Sequence, residues 1–351
     1  MKRIHISCLV FFLITAKLFS QENEFSYNVI SINELQYNIF NKNERTLKYA
    51  NLHEFESSLS TDRWWKGGLF EASFWSLIES LDRSIVINEL SFSNIEDDTY
   101  WILCSKLGYQ HTIGNMNLFV GIRNMSVDYF TSPYSLLFTN SSAGIYPTTS
   151  MNHNLANCPL SAMGIHAEYN GKKWNFKNSF YNGLNDANNK TVFKTHFNPR
   201  RNGYTNISQV QYSSSNGIYA AGAILDKQPQ TAINHSLYAL IEQSVFDINN
   251  RKVGIIGQLG YAPKHRAHVD AYYGGGIVVS DLFQTDRSKN DMLGLIAFCA
   301  NSHDYSETAI ELTYSYTVNA WLSIQPAFHY IHNEDTDALV GLIRGIITFG
   351  N

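Results

Sequence analysis

Alternation of apolar and polar residues is the feature that most constrains how this chain folds. In residues 309–320 every second side chain is apolar, and the positions between them are polar: Ile310, Leu312, Tyr314, Tyr316 and Val318 alternate with Glu311, Thr313, Ser315, Thr317 and Asn319. Successive side chains of a β-strand point to opposite faces, so this pattern predicts a strand with one apolar and one polar face. Two further segments at the C-terminal end, near 322–331 and 341–349, repeat the pattern.

The same rhythm recurs along the chain, with turn residues between the segments. It predicts strands at residues 84–93, 99–111, 117–126, 161–170, 173–182, 204–213, 216–225, 235–247, 253–262, 269–279 and 291–301, with two less regular ones at 47–58 and 66–76. Together with the three C-terminal segments these make about sixteen strands of the length that crosses a bilayer at a tilt.

Composition separates a membrane barrel from a secreted soluble β-sandwich. Charged residues make up 16% of the chain and aromatic residues 14%, whereas soluble domains carry about 25% charged residues. The polar faces of the segments hold Ser, Thr, Asn and Gln more often than Lys and Glu. Because an apolar outer belt with aromatic girdles explains both facts, the sequence predicts an all-β fold, a transmembrane antiparallel up-and-down β-barrel of about 16 strands.

The N-terminus resembles an export signal. Lys2 and Arg3 precede an apolar run over residues 4–16, and polarity begins at Gln21, a layout typical of a cleaved secretory signal. The sequence therefore predicts a signal peptide over residues 1–20, a polar leader over 21–45 and a barrel over 46–351, in the outer membrane of a Gram-negative bacterium. Phe349 near the end of the last strand predicts recognition by the outer-membrane assembly machinery, with outer-membrane lipid as the other partner.

Other classes of function find little support in the sequence. The net charge is −4 and no basic stripe is present, which argues against nucleic acid as a partner. The cysteines form no CxxC motif and the His-x-x-His pairs place their side chains on different faces, so neither metal nor cofactor is expected. No spacing singles out catalytic residues, and we expect no enzyme activity. The oligomeric state is left open.

Several motifs resemble those of the carbohydrate-selective, OprB-like porin family. Residues 91–96 (Ser-Phe-Ser-Asn-Ile-Glu) are similar to one family motif, and residues 117–150 follow another, with Gly121, Asn140 and Pro147 in place. The longest similar segment runs from Glu307 to Ile331 and includes Gln325-Pro326. The resemblance implies a sixteen-stranded outer-membrane porin that passes small sugars or other polar solutes through a water-filled lumen.

Charged and polar residues on the predicted inner faces are the candidates for contact with solute. A charge on the lipid face costs about 2–4 kcal/mol at mid-membrane, so these side chains are expected to face the lumen: Arg123, Glu311, Arg344, Glu168, His166, Gln325 and His329. An inward side chain can equally brace the wall. Two other functions stay open, namely a barrel enzyme of the phospholipase or esterase type with a Ser–His dyad and a structural or adhesive barrel with a plugged lumen.

Overall fold

The computed structural model describes residues 24–351 except 41–44, 82, 96–97, 127, 185–196, 249–250, 264–266, 284–290 and 304. Sixteen antiparallel strands, each paired with its neighbours along the chain, form a barrel that closes where the first strand pairs with the last. The strands are β1 (Phe25–Phe40), β2 (Leu47–Ser60), β3 (Gly68–Glu79), β4 (Tyr100–Ile113), β5 (Met116–Arg123), β6 (Ala162–Asn170), β7 (Trp174–Asn182), β8 (Tyr204–Ser213), β9 (Gly217–Lys227), β10 (Asn234–Ile248), β11 (Arg251–Tyr261), β12 (Ala271–Ser280), β13 (Met292–Asn301), β14 (Ser306–Asn319), β15 (Leu322–His332) and β16 (Asp337–Gly350).

In the described part of the chain, helical structure is confined to short turns in the loops. The helices are α1 (Pro147–Ser150) and α2 (Pro199–Asn202), and two single-turn 3₁₀ segments cover Ser135–Leu137 and Ser141–Ala143. No helix in the described part of the chain is long and apolar enough to cross a membrane.

Side-chain alternation sets the two faces of the wall. Glu34 on β1 lies opposite Arg344 on β16 and Ala50 on β2, and all three are buried inside the barrel. The next position, Leu35, lies opposite Ile343, and both are exposed on the outside. This is the arrangement that the alternating pattern predicts, because a polar side chain is hydrated or hydrogen-bonded inside and an apolar one contacts lipid outside.

Aromatic side chains mark the two edges of the apolar band. Trp174, Tyr212 and Tyr219 cluster near the end where the chain termini and the two-residue β4–β5 turn lie. Tyr37 and Tyr49 lie near the other end, on β1 and β2. Aromatic girdles at both interfaces are typical of barrels in the outer membrane.

The predicted fold class and the count of sixteen are confirmed, but two segments are placed differently. Residues 25–40, predicted as part of a leader, form β1, whose alternation is weak because its outer face carries Ser31 and Asn33 among apolar residues. Residues 84–93, predicted as a strand, lie in the loop between β3 and β4. Their apolar side chains pack inside the barrel and not against lipid, for example Val86, Leu90 and Phe92. The predicted signal peptide, residues 1–20, lies outside the described residues.

Two long loops turn into the barrel instead of projecting from it. The β3–β4 loop covers residues 80–99 and the β5–β6 loop covers residues 124–161. Their backbones meet where the Ser141 amide donates to the Ser91 carbonyl over 2.9 Å and the Ser142 hydroxyl donates to the Leu90 carbonyl over 3.1 Å. The two loops therefore form one inserted unit.

Candidate functional site in the barrel lumen

The inserted loops cover the inner wall of strands β8–β16 most extensively, and Ile95 of the β3–β4 loop also packs with Leu77 and Leu103 on β3 and β4. Apolar side chains of the β5–β6 loop, such as Phe130, Leu137 and Phe138, belong to one buried cluster with wall residues that include Ile207, Ile256 and Phe298. Burial of this much apolar surface stabilises the docked loop by the hydrophobic effect. The wall residues in this cluster are thereby withdrawn from any water-filled path.

Polar side chains of β14 and β15 hold the backbone of the β5–β6 loop at fixed points. The Glu311 carboxylate accepts from the amides of Thr139 (2.8 Å) and Asn140 (3.0 Å) and from the Thr139 hydroxyl (3.0 Å). His329 Nε2 lies 2.9 Å from the same hydroxyl, and Gln325 Nε2 donates to the Leu137 carbonyl over 2.5 Å. Loop N–H and C=O groups that would otherwise be buried without partners are satisfied in this way.

The β3–β4 loop is held by a second set of wall residues. Glu307 accepts from the amides of Glu89 and Leu90, the latter over 2.8 Å. Arg344 donates to Glu34 on the adjacent β1 and to the Asn94 side chain of the loop, over 2.7 Å and 2.6 Å. Arg344 therefore ties together the first strand, the last strand and the inserted loop.

Arg123 holds the beginning of the β5–β6 loop. Its guanidinium makes a two-pronged ion pair with Asp128, at 2.7 Å and 2.5 Å, and lies 4.9 Å from the centre of the Phe119 ring. Burial by itself would raise the pKa of Asp128, but the hydrogen bonds and charge of Arg123 outweigh burial and hold that pKa below its ordinary value. Asp128 thus carries a negative charge in the interior.

His166 belongs to a buried cluster on β6 and β7. His166 Nδ1 lies 2.7 Å from the Ser179 hydroxyl, which is also 2.7 Å from the Tyr129 hydroxyl of the β5–β6 loop. A second Ser–His pair joins His153 to Ser236 over 2.6 Å. Both pairs are buried within the barrel, whereas a barrel esterase needs such a pair at the lipid boundary, with a third polar group that orients the histidine.

The opposite half of the wall, strands β1–β7, keeps charged side chains that are partly exposed. We call its inner face on β1–β4 the polar wall, defined by Asn28, Glu54, Glu56, Glu71, Ser73 and Lys106. Lys106 Nζ lies 3.0 Å from Glu71 Oε1, and Asn28 donates to Glu56 over 3.2 Å. A cavity of about 210 Å³ opens here, and its lining includes Glu56, Ser58, Glu71 and Lys106. The polar wall therefore presents partly exposed charged groups and hydroxyl groups to the lumen.

Glu168 and Lys177 continue the charged surface onto β6 and β7. Their side chains are 24% and 18% exposed and lie 3.9 Å apart. Lys177 also donates to the Asp128 carbonyl over 2.7 Å, so it contacts the edge of the β5–β6 loop. Of the seven residues predicted from the sequence, Glu168 is the one on this open side whose side chain is not buried.

The structure thus divides the predicted residues into two groups. Glu311, Gln325, His329 and Arg344 contact the inserted loops, and Arg123 and His166 pack with the first turn of the β5–β6 loop; all six are buried. The polar wall was not predicted from the sequence, although Glu54, Glu56, Glu71 and Lys106 occupy inward positions of segments predicted as strands. Because a charged side chain that faces lipid is costly, these four residues are expected to point into the barrel. Among the described residues, no cluster of three or more His, Cys, Asp or Glu side chains is placed to hold a metal ion.

Comparisons with known proteins agree with this geometry. Residues 204–349 match the family model described as carbohydrate-selective porin, OprB family. The structure is similar to that of Pseudomonas putida OprB at high pH, with a TM-score of 0.80 and 16% identity over 93% of this chain and 94% of that one. No curated protein sequence matches the chain.

More distant porins share the barrel. A Rh. blastica porin mutant matches with a TM-score of 0.60 and 9% identity, over 93% of this chain and 100% of that one. Vibrio cholerae OmpT, in a form lacking loop L8, matches with a TM-score of 0.57 and 10% identity over the same shares. At sequence identities this low, the similarity shows a shared fold and nothing further. The resemblance predicted from the sequence is confirmed over residues 204–349, and the chain folds as a sixteen-stranded barrel similar to the carbohydrate-selective porins of the OprB family.

Proposed function

We propose that small polar solutes, sugars first among them, diffuse passively between the inserted loops and the wall of β1–β7. The observation that carries this proposal is the asymmetry of the inner wall: β8–β16 makes most of the buried contacts with the loops, and β1–β7 keeps partly exposed carboxylates, ammonium groups and hydroxyls. Such groups replace part of a sugar's hydration without holding it tightly, which a diffusion channel requires. The name of the matching family points to the same class of solute.

The proposal predicts that bulk on the polar wall obstructs sugar flux. Ser58→Trp places an indole in the cavity beside Glu56, and we expect the rate of sugar-driven liposome swelling to fall about fivefold. Leu118→Trp, on the outer face of β5, is the matched control and leaves the rate unchanged. Equal swelling rates for both variants, or no sugar-dependent block of single-channel current in planar bilayers, would overturn the proposed path.

Export and assembly belong to the same proposal. The sequence of residues 1–20 supports cleavage of a secretory signal, and mass spectrometry of the outer-membrane form would give the N-terminus. Phe349 on β16, opposite Val29 on β1, is 55% exposed at the seam that closes the barrel. A C-terminal aromatic in that place supports recognition by the assembly machinery. Phe349→Ala then lowers the yield of folded barrel in cells, and an unchanged yield would contradict this role.

A further inference from the structure

Three cationic side chains, Arg200, Arg201 and Lys227, form what we call the basic patch, at one end of strands β7–β10. Arg200 and Arg201 belong to α2 and are exposed. Lys227 is the last residue of β9. It shares the outward direction of Leu225, which is 43% exposed, whereas Asp226 between them is buried, so alternation directs Lys227 to the outer face of the barrel.

Contacts on both sides of α2 place it over the same outer face. The amide of Asn198, which precedes α2, donates to Asn182 Oδ1 at the end of β7 over 2.7 Å. The Phe197 ring lies 6.3 Å from the ring of Phe180 on β7. After α2, the backbone of Gly203 lies so close to Lys227 that an added Cβ would collide with the Lys227 carbonyl oxygen. The arginines and the lysine therefore share one surface.

The charge of this surface is positive. Residues 180–237 contain five Lys and Arg residues and two Asp residues. Of the two carboxylates, Asp226 is buried, and it accepts from the Thr205 hydroxyl over 3.0 Å and from the Gln228 amide over 2.8 Å. The outer face of β15 and β16 differs at the same end, where His332 lies 3.9 Å from Asp337, a carboxylate that is 40% exposed. An anion is therefore attracted to the β7–β10 side of the barrel.

The lengths of the connections show which end of the barrel carries the basic patch. The long loops 80–99, 124–161 and 183–203 leave the barrel at this end, whereas turns of two or three residues, such as 114–115, 171–173 and 214–216, lie at the other. Barrels of the outer membrane have short periplasmic turns and longer extracellular loops. The basic patch is therefore extracellular, on the side of the outer leaflet, whose main lipid is a glycolipid with phosphate groups on its sugars.

An apolar surface begins directly beside the basic patch. Tyr204 lies opposite Lys227 in the strand register, and its ring stacks on that of Phe180, with 5.2 Å between centroids and 22° between planes. Leu225 and Leu237 continue the outer face toward mid-membrane, 43% and 51% exposed. Aromatic side chains mark the boundary between headgroups and lipid tails. The cations are thus at headgroup height and the leucines at the height of the acyl chains.

We infer that the basic patch binds the phosphate groups of an outer-leaflet glycolipid, whose acyl chains lie on Leu225 and Leu237. A guanidinium binds phosphate through two parallel N–H donors, and an ammonium group adds a point charge. Clusters of cationic side chains next to a membrane-spanning segment attract anionic headgroups. The apolar surface favours a lipid over a free phosphate ion, because only a lipid also buries the two leucines.

The test is binding of bisphosphorylated lipid A to the full folded chain in mild detergent, by titration with native mass spectrometry. Arg200→Gln combined with Arg201→Gln should raise the Kd about tenfold, since two charge-assisted contacts are lost. Lys172→Gln combined with Lys173→Gln removes two charges from the periplasmic β6–β7 turn. This matched control should leave the Kd unchanged. Lipid A without phosphate groups should bind the natural sequence about as weakly as bisphosphorylated lipid A binds the arginine variant.

Folding is checked by heat-modifiable migration in electrophoresis. If the arginine variant does not fold, Lys227→Gln removes one charge from the same patch and should raise the Kd about threefold. Equal affinity of the natural sequence and the patch variants, or equal affinity for lipid A with and without phosphate, would overturn the inference. Phosphatidylglycerol or inorganic phosphate that displaces lipid A at equal concentration would also overturn it, because the site would then recognise anions in general.

Discussion

Glu311 on β14 and Thr139 in the inserted β5–β6 loop are 172 positions apart in the sequence, and two hydrogen bonds join them, of 2.8 Å to the amide and 3.0 Å to the hydroxyl. The carboxylate is fully buried, with its remaining oxygen on the Asn140 amide. This contact fixes the loop against the β8–β16 side of the lumen. It links a residue chosen from the sequence as a solute ligand to the loop that narrows the pore.

Removing this anchor should widen the channel. Glu311→Ala deletes three hydrogen bonds, each contributing roughly 0.5–1.5 kcal/mol. We expect single-channel conductance to rise about twofold or more, with added current noise, as the loop leaves the wall. Glu334→Ala, an exposed residue between β15 and β16, serves as control. Conductance equal to that of the natural sequence would show that Glu311 does not hold the loop in place.

The open side of the lumen should prefer cations. Its partly exposed charges are the carboxylates of Glu54, Glu56, Glu71 and Glu168 and the ammonium groups of Lys106 and Lys177. A reversal potential measured across a salt gradient should show cation preference, and Lys106→Gln should increase it. Lys66→Gln, in the exposed β2–β3 turn, should have no effect. Anion preference in the natural sequence would contradict the assignment of this wall to the channel.

The Arg123–Asp128 ion pair should stabilise the first turn of the β5–β6 loop. Arg123→Ala leaves the Asp128 carboxylate buried without its partner, which costs about 3–5 kcal/mol for pairs of this kind. The double change Arg123→Met with Asp128→Leu removes both charges and should cost much less. Limited proteolysis within residues 124–161 and denaturant unfolding would measure the difference. An equal loss of stability in the single and the double variant would refute the ion-pair explanation.

Acid should loosen the same loop through His153. Burial lowers the pKa of His153 to about 4 from an ordinary value of 6.5. Between these two values the unfolded state binds a proton that the folded state excludes, so stability falls as pH drops from about 6.5 to about 4, by an amount of the order of 3 kcal/mol. The lowered pKa of Asp128 means that its carboxylate keeps its contribution to stability through this pH range. That contribution is lost only below the ordinary pKa of 3.8.

The measurement is loop release as a function of pH, followed by single-channel noise or by proteolysis within residues 124–161. His153→Asn keeps a polar partner for Ser236 and removes the titration, so its loop should withstand pH 4.5 better than that of the natural sequence. Ser302→Ala, outside the lumen contacts of this loop, is the control. Identical pH profiles for the natural sequence and His153→Asn would rule out this histidine as the sensitive group.

The sequence by itself determined the strands and the direction of their side chains. Residues 204–213 were predicted as a strand and form β8 (Tyr204–Ser213), and the inward placement of Glu311, Gln325 and Arg344 holds. Alternation carries this information because a membrane barrel has lipid on one face of every strand, and a misdirected charge is costly there. It failed at residues 25–40 and 84–93, since polar outer residues obscure the period in the first and loop burial imitates it in the second.

Only the tertiary structure decided which inward residues face water. Glu311 and Glu71 both point inward and look alike in the sequence, yet Glu311 lies beneath the β5–β6 loop and Glu71 lines the open cavity. That difference depends on where two loops dock, through contacts between residues more than a hundred positions apart, which no local pattern encodes. The same holds on the outer face of β1–β3, where Ser31, His53 and Ser76 come to lie side by side only through the register of the three strands.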